Sequence, residues 1–377
     1  MSTIKVNRIE NTSTASGGID IDASGHVQFD GLQLPTAGSL SNRNLIINGA
    51  MRVAQRGTSA STNGYQTIDR FENGVGGGLA VTQQQVSLTS GAAYDEGFRK
   101  SFKGTVTTAA NNTNTYWEFF TQLEGQDINS SGWNYKSSSS FVTLSYWVKT
   151  SAAGTYYNMI ILPDMSSGNR IYRWSVTTEA GVWKKITHTI PGDSNLIIDD
   201  NNGSGFILYW VPHYGTVNTG STADLNQWDS IDSADYTPDF AQNWANISGF
   251  TFEVTGIQLE AGAKNTPFEH RSYGDELVRC QRYFCSLRWS LCNPIFGINY
   301  RLISPAPVME MRASPSLAYF VPSTGAGNGT IEHSTNTVRS LNSVNPANGP
   351  AGSSTYFGLS SNAVYANSVN VNFDAEL

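Results

Sequence analysis

The amino-acid sequence predicts an all-β protein built around an antiparallel β-sandwich, and three observations carry that expectation. Only 14% of the 377 residues are charged, against roughly a quarter in ordinary globular domains, while glycine alone fills 36 positions. Such a chain favours strands and hydrogen-bonded turns over long solvated helices. Short segments with a period of two follow one another at hairpin spacing through the middle of the chain. No helical period interrupts them; spacings of three and four enter only at residues 273–284.

In chain order, residues 1–42 carry small apolar groups: Ile4, Val6 and Ile9, then Ile19 and Ile21, then Val27 and Phe29, parted by Gly17-Gly18 and Ser24-Gly25. These read as short strands too small to bury much surface alone, so the copies of a homotrimer are expected to complete them. The run Leu34-Pro35-Thr36-Ala37-Gly38-Ser39-Leu40-Ser41-Asn42 reads as a linker. Asn44-Leu45-Ile46-Ile47-Asn48-Gly49-Ala50-Met51 then opens the central region.

Strands are expected at Leu79–Leu88, Gly97–Val106, Tyr116–Leu123, Phe141–Lys149, Thr155–Leu162, Arg170–Val176, Trp183–Ile190, Phe206–Val211 and Phe250–Leu259. In the fourth, Val142, Leu144, Tyr146 and Val148 share one face and Phe141, Thr143, Ser145 and Trp147 the other. Both faces are bulky, as in a strand covered on both sides. Gly262 and Pro267 end the last of them. Leu277, Cys280 and Phe284 fall on one face of a connector helix expected over 273–290, and are expected to meet their copies around a threefold axis. Residues 291–377 read as a small distal β-domain. Its apolar segments are Cys292–Leu302 and Leu317–Val321, and its strands are expected at Asn336–Val344 and Tyr356–Val371.

Composition also excludes functions. A net charge of −7 and a pI near 5.3 give phosphates nothing to bind, so no nucleic-acid partner is expected. No run approaches the roughly 18 apolar residues of a membrane span, and the first residues lack the apolar core of a secretory signal. Cys280, Cys285 and Cys292 read as free thiols. Carboxylate pairs such as Asp95/Glu96, Asp229/Asp232 and Asp235/Asp239 sit in turn-like sequence with no accompanying motif, so no catalytic residue is assigned and no enzyme is expected. The five histidines match no metal-ligand spacing. Asp199-Asp200-Asn201-Asn202-Gly203 offers hard oxygen ligands, with Asp199, Asp200 and Asn202 the residues for a calcium ion, beside the plainer reading as a turn. Glycan binding needs flat rings flanked by hydrogen-bonding side chains. Trp210, Tyr214, Trp228, Tyr236 and Trp244 lie in a loop-like Gly/Asp/Asn-rich region and are the surface aromatics expected to supply them, while Trp147 and Trp174 read as core.

Four segments together carry a family resemblance: Asn44-Leu45-Ile46-Ile47-Asn48-Gly49 with Asp69-Arg70-Phe71; Trp117 to Ile128; Val142 to Thr150 with Gly154-Thr155-Tyr156; and Trp183-Lys184-Lys185 leading to Ile190-Pro191-Gly192-Asp193. In that order, and followed by Val254 to Gly262 and Cys280-Gln281-Arg282-Tyr283-Phe284, they resemble the carbohydrate-binding-module-like jelly roll of phage tail fibres and virion appendages of marine or cyanophage type. The resemblance implies a jelly-roll domain over 43–272, a structural calcium and a trimeric fibre. Its N-terminal segment would attach to other virion proteins and its function would be adhesion to host surface glycans. It also implies synthesis in a host cytoplasm and release within the virion by lysis. A head decoration or adaptor fibre and a polysaccharide depolymerase are the alternative functions.

Overall fold

A computed structural model describes residues 42–164, 170–231, 235–286, 311–313, 316 and 372–377 with their side chains. It gives strand backbone alone at 8–10, 18–21, 27–29, 32–33, 287–289, 317–320, 330–332, 338–346, 355–359 and 369–371. The expected Ile4/Val6 pair, the linker up to Ser41 and the apolar segment Cys292–Leu302 lie outside the described residues.

Near the start, β1 (Arg8–Glu10), β2 (Gly18–Ile21), β3 (Val27–Phe29) and β4 (Leu32–Gln33) pair in sequence as an antiparallel meander. The central region contains β5 (Ser59–Ala60), β6 (Glu72–Gly76), β7 (Ala80–Ser87), α1 (Ala92–Asp95), β8 (Lys100–Thr108), β9 (Tyr116–Glu124) and α2 (Gly125–Asn129). It continues through β10 (Phe141–Thr150), β11 (Gly154–Leu162), β12 (Arg170–Thr178), β13 (Lys184–Pro191), β14 (Ser204–Tyr214), β15 (Trp228–Ser230), a 3-10 turn at Trp244–Asn246 and β16 (Thr251–Ala261). Helix α3 (Tyr273–Gln281) leads to β17 (Phe284–Trp289), β18 (Ser316–Phe320), β19 (Thr330–Glu332), β20 (Val338–Pro346), β21 (Thr355–Leu359) and β22 (Val369–Asp374).

Two six-stranded antiparallel sheets form the expected jelly-roll sandwich, one ordered β13-β10-β16-β8-β7-β5 and the other β15-β12-β11-β14-β9-β6. Alternation sets the core. From β10, Val142, Leu144, Tyr146 and Val148 are fully buried, and they meet Trp117 and Phe119 of β9 and Phe206, Leu208 and Trp210 of β14. The rings interlock: Phe102 lies 3.9 Å from Phe119, which stacks on Phe71 at 5.2 Å. Each such side chain contributes about 2–3 kcal/mol by leaving water. Gly104 of β8 makes room for the Trp117 indole, which an added Cβ would approach to 2.4 Å. A tyrosine pair and an asparagine satisfy one another inside the core. The Tyr146 hydroxyl shares a 2.7 Å hydrogen bond with that of Tyr156 and lies 2.5 Å from Asn158 Oδ1.

The opening segment is sewn to β16. Leu45 N–H donates to Leu259 O, Ile257 N–H donates to Gly49 O, and Asn44 Nδ2 donates to Ile257 O at 3.0 Å. Asn48, left-handed at φ 61°, donates its amide to the carbonyls of Val53 and Asp69 and its backbone N–H to Glu276 of α3. That asparagine therefore fixes a turn and docks a helix at once.

Helix α3 begins where the Ser272 hydroxyl accepts from Asp275 N–H and ends at Gln281, short of the expected limit at 290. β17 pairs with β22 residue for residue, Phe284 opposite Asp374, which a continuing helix could not do. The stripe expected to face a threefold axis is corrected in the same way. Cys280 is 0% and Phe284 3% exposed within a single chain, so neither is free to meet a copy, and Leu277 is half-buried. Instead Phe284 lies under the Arg56 guanidinium at 3.6 Å, and Arg56 also pairs with Asp374 at 3.0 Å. Arg70 pairs with Glu376 and covers the Tyr283 ring, while Ala375 N–H donates to Tyr283 O. These contacts clamp residues 374–376 against the sandwich. β17, β22 and β18 form the small C-terminal sheet, with β19, β20 and β21 as a further three-stranded sheet.

Candidate functional site

A sandwich offers two outward faces, and here their chemistry differs. The outward side of the first sheet presents Lys185 and Thr187 from β13 and Lys103 and Thr105 from β8, and where it is apolar, at Trp147 of β10 beside Leu88, Ala93 and Phe98, the side chains of Tyr94, Trp183 and Phe268 pack against it. The second sheet is apolar and aromatic on its outward side too. Over β11 and β12 that side is covered, since Ile231, Tyr236 and Phe240 pack on Met159, Ile161, Ile171, Val211 and Tyr214. Over β14, β9 and β6 it stays partly open.

The open strip is built by register. Tyr209 of β14 stands opposite Phe120 of β9, and Phe120 opposite Glu72 of β6; next along β9, Glu118 faces Gly74 and Tyr116 faces Gly76. All the side chains named are half-buried. The Phe120 and Tyr209 rings lie 4.8 Å apart with 32° between their planes. The glycines of β6 shape the edge: a Cβ on Gly76 would come within 2.2 Å of the Tyr116 ring, so only glycine lets that ring lie flat across the strand. Gln122 closes one end, its Nε2 donating to Leu377 O at 2.9 Å.

Two carboxylates stand among the rings. The Tyr214 hydroxyl donates to Glu118, yet burial still raises the Glu118 pKa above the usual carboxylate range. Burial raises Glu72 too, and the charges of Glu118 and Glu376 add to it. Neither forms an ion pair among the described residues. The strip thus couples flat apolar rings, suited to the C–H faces of a sugar ring, with carboxylates that accept hydrogen bonds from hydroxyls.

The residues expected from sequence are dispersed. Trp210 is 0% exposed and packs on Phe71, Phe119 and Tyr146; Trp244 is 1% exposed and stacks on Phe250 at 4.7 Å. Both belong to the core and reach no external ligand. Trp228, half-buried on edge strand β15, donates from Nε1 to Pro191 O at 2.7 Å and so ties the two sheets together. Tyr214 is 3% exposed, and half-buried Tyr236 stands 6.2 Å from it, so these two border the strip at Glu118. Tyr116, Phe120, Tyr209, Glu72 and Glu118 were missed. The Asp199 and Asp200 side chains are exposed, and Asn202 donates its amide to Arg312 O at 2.6 Å. Among the described residues no three His, Cys, Asp or Glu side chains gather as metal ligands.

A recess of about 580 Å³ lies beside α3, lined by Asp127, Arg271, Val278, Arg279, Arg282 and Tyr283 among others. Its cations are already engaged. Arg282 makes two hydrogen bonds to Glu124, which is fully buried, and Arg271 pairs with Glu269 and Glu276. Burial opposes the Glu124 charge, but Arg282 and Tyr283 outweigh it and hold the pKa low. The recess is therefore bound into the joint between helix and sandwich, and the aromatic strip is the better site.

No family model matches the chain. Residues amounting to 23% of it are similar, at 30% identity over 105 residues, to an Emericella nidulans protein named probable arabinan endo-1,5-alpha-L-arabinosidase A. The chain spans about a third of that relative's length. Among solved structures, the enzymatically active domain of tailspike protein 4 from bacteriophage CBA120 is similar at TM-score 0.32 and 8% identity, over 58% of this chain and 22% of that one. The family 11 carbohydrate-binding module of the Clostridium thermocellum cellulase Lic26A-Cel5E is similar at TM-score 0.30 and 16% identity, over 55% and 96%. A family 30 carbohydrate-binding module is similar at 0.28 and 14%, over 62% and 93%. Likeness this loose leaves the site to be judged by its own residues.

Proposed function

We propose that the chain is an adhesive virion appendage, a tail fibre or a related phage structural protein, whose sandwich holds host surface glycans on the outward face of its second sheet. One observation carries the binding function: Tyr116, Phe120 and Tyr209 lie half-buried on that face with Glu72 and Glu118 between them, whereas on the opposite sheet Trp147 is buried under Trp183 and its neighbours and lysines and threonines stand beside it. Half-exposed rings on a rigid sheet keep an apolar platform in water that a purely structural strand would cover with polar groups. The phage setting, attachment to other virion proteins through residues 1–42 and a homotrimeric state rest on the sequence resemblance. Individual sugar contacts are weak, and three copies in one fibre would raise their effective concentration into durable attachment.

The test is glycan-array binding by the full chain, with Phe120→Ala and Tyr209→Ala beside Thr187→Ala on the other sheet. Loss with the first two and retention with the third supports the site. Equal binding by all three rejects it, and release of reducing sugar from a bound polymer would point to a depolymerase. Native mass spectrometry checks the trimer.

A further inference from the structure

Resting on that reading of the strip, we infer that Glu72 and Glu118 act as a charge filter, so that the site accepts uncharged glycans and turns away those bearing carboxylates. The argument begins with register. Glu118 faces Gly74 across β9 and β6, and Glu72 lies two residues along from Gly74, so both acids share one face as diagonal neighbours. They flank the Phe120 ring on which a sugar would lie, Glu72 across the ladder from it and Glu118 two residues before it.

Among the described residues no cation offsets them. Among the described residues neither carboxylate has a lysine or arginine partner, although Arg56, Arg70 and Arg282 are all spent on other acids nearby in the fold. Among the described residues, the only hydrogen bond to either comes from Tyr214, a neutral hydroxyl. A hydroxyl-rich ring can satisfy such acceptors by donating to them. A uronate or carboxymethyl group brings a further negative charge into a half-buried surface where water screens poorly, and each close like-charge contact costs on the order of tenfold in affinity.

The experiment uses affinity gel electrophoresis of the full chain with hydroxyethyl-cellulose, arabinan and galactan, each beside its carboxymethylated form. The expected result is retention by at least one neutral polymer about tenfold stronger than by its charged derivative. The Glu72→Gln/Glu118→Gln double variant, checked for folding by circular dichroism, should narrow that gap to about threefold or less. Equal retention of neutral and charged forms by the wild type, or a gap unchanged in the double variant, overturns the filter. Retention that persists in Tyr209→Ala, or no retention of any probe, rejects the site itself and the filter with it.

Discussion

Phe120 and Tyr209 stand directly opposite each other on adjacent strands and lean ring to ring at 4.8 Å on the outward side of the second sheet. Cross-strand aromatic pairs contribute up to about 1 kcal/mol to a sheet. Replacing either by alanine therefore costs little stability, and the fold survives. Affinity for a glycan resting on the pair should fall at least about tenfold, near 1.4 kcal/mol. Titration calorimetry beside a urea melt separates the two effects.

A second expectation concerns the joint at α3. Glu124 is 0% exposed, and Arg282, Tyr283 and Gln126 all donate to it. Arg282→Ala strands that carboxylate and should destabilise the sandwich by about 3 kcal/mol, the low end for a buried pair because the arginine is 29% exposed. Adding Glu124→Gln should recover part of the loss in a urea melt.

Acid should weaken the protein through two histidines. The His188 ring stacks on Trp174 at 4.4 Å and His213 is 5% exposed; burial lowers both pKa values from 6.5 to about 4. Between those values the unfolded chain holds protons that the folded one refuses, so stability falls as pH drops from 6.5 to 4. Each histidine accounts for at most ~3 kcal/mol. Asp69 works in the opposite sense: burial raises its pKa from 3.8 to about 6 against the hydrogen bonds from Gln55, so its contribution declines as pH rises through that interval. Melting temperatures at pH 7 and 4.5 should differ less in the His188→Phe/His213→Phe variant than in the wild type.

Two glycines should respond differently to alanine. At Gly104 the new methyl would sit 2.4 Å from the fully buried Trp117 ring, an overpacking that costs about 1–3 kcal/mol. At Gly74 it would meet Glu118 Oε2 at 3.7 Å, an ordinary contact. Similar destabilisation of both variants in a urea melt would contradict the packing described.

The strands were legible because alternation survives in nearly every one; β7 to β14 and β16 fall within a few residues of expectation. β6 was not, since Glu72-Asn73-Gly74-Val75-Gly76 has one large apolar residue and gains its place from pairing with β9. The site was half legible. Trp210 shares the parity of Phe206 and Leu208, so the strand pattern itself turns it inward, but its loop-like neighbours suggested exposure. The opposite parity of β9 held the overlooked signal: Tyr116 and Phe120 alternate with the inward Trp117 and Phe119, placing large rings where water is expected. Composition of a region says little about facing; parity within a strand says more. Glu72 could not be found this way, because it lies on edge strand β6, which the sequence does not reveal.

Because β17 leaves the sandwich, β22 comes back alongside it and β18 pairs on the other side of β22, with Arg56 and Arg70 gripping the returning end, the chain that follows Trp289 and the chain that precedes Val369 both begin and finish on one small sheet. The same geometry makes the attachment a socket: a replacement segment of another length could be spliced between the end of β18 and the start of β22 without disturbing the anchor.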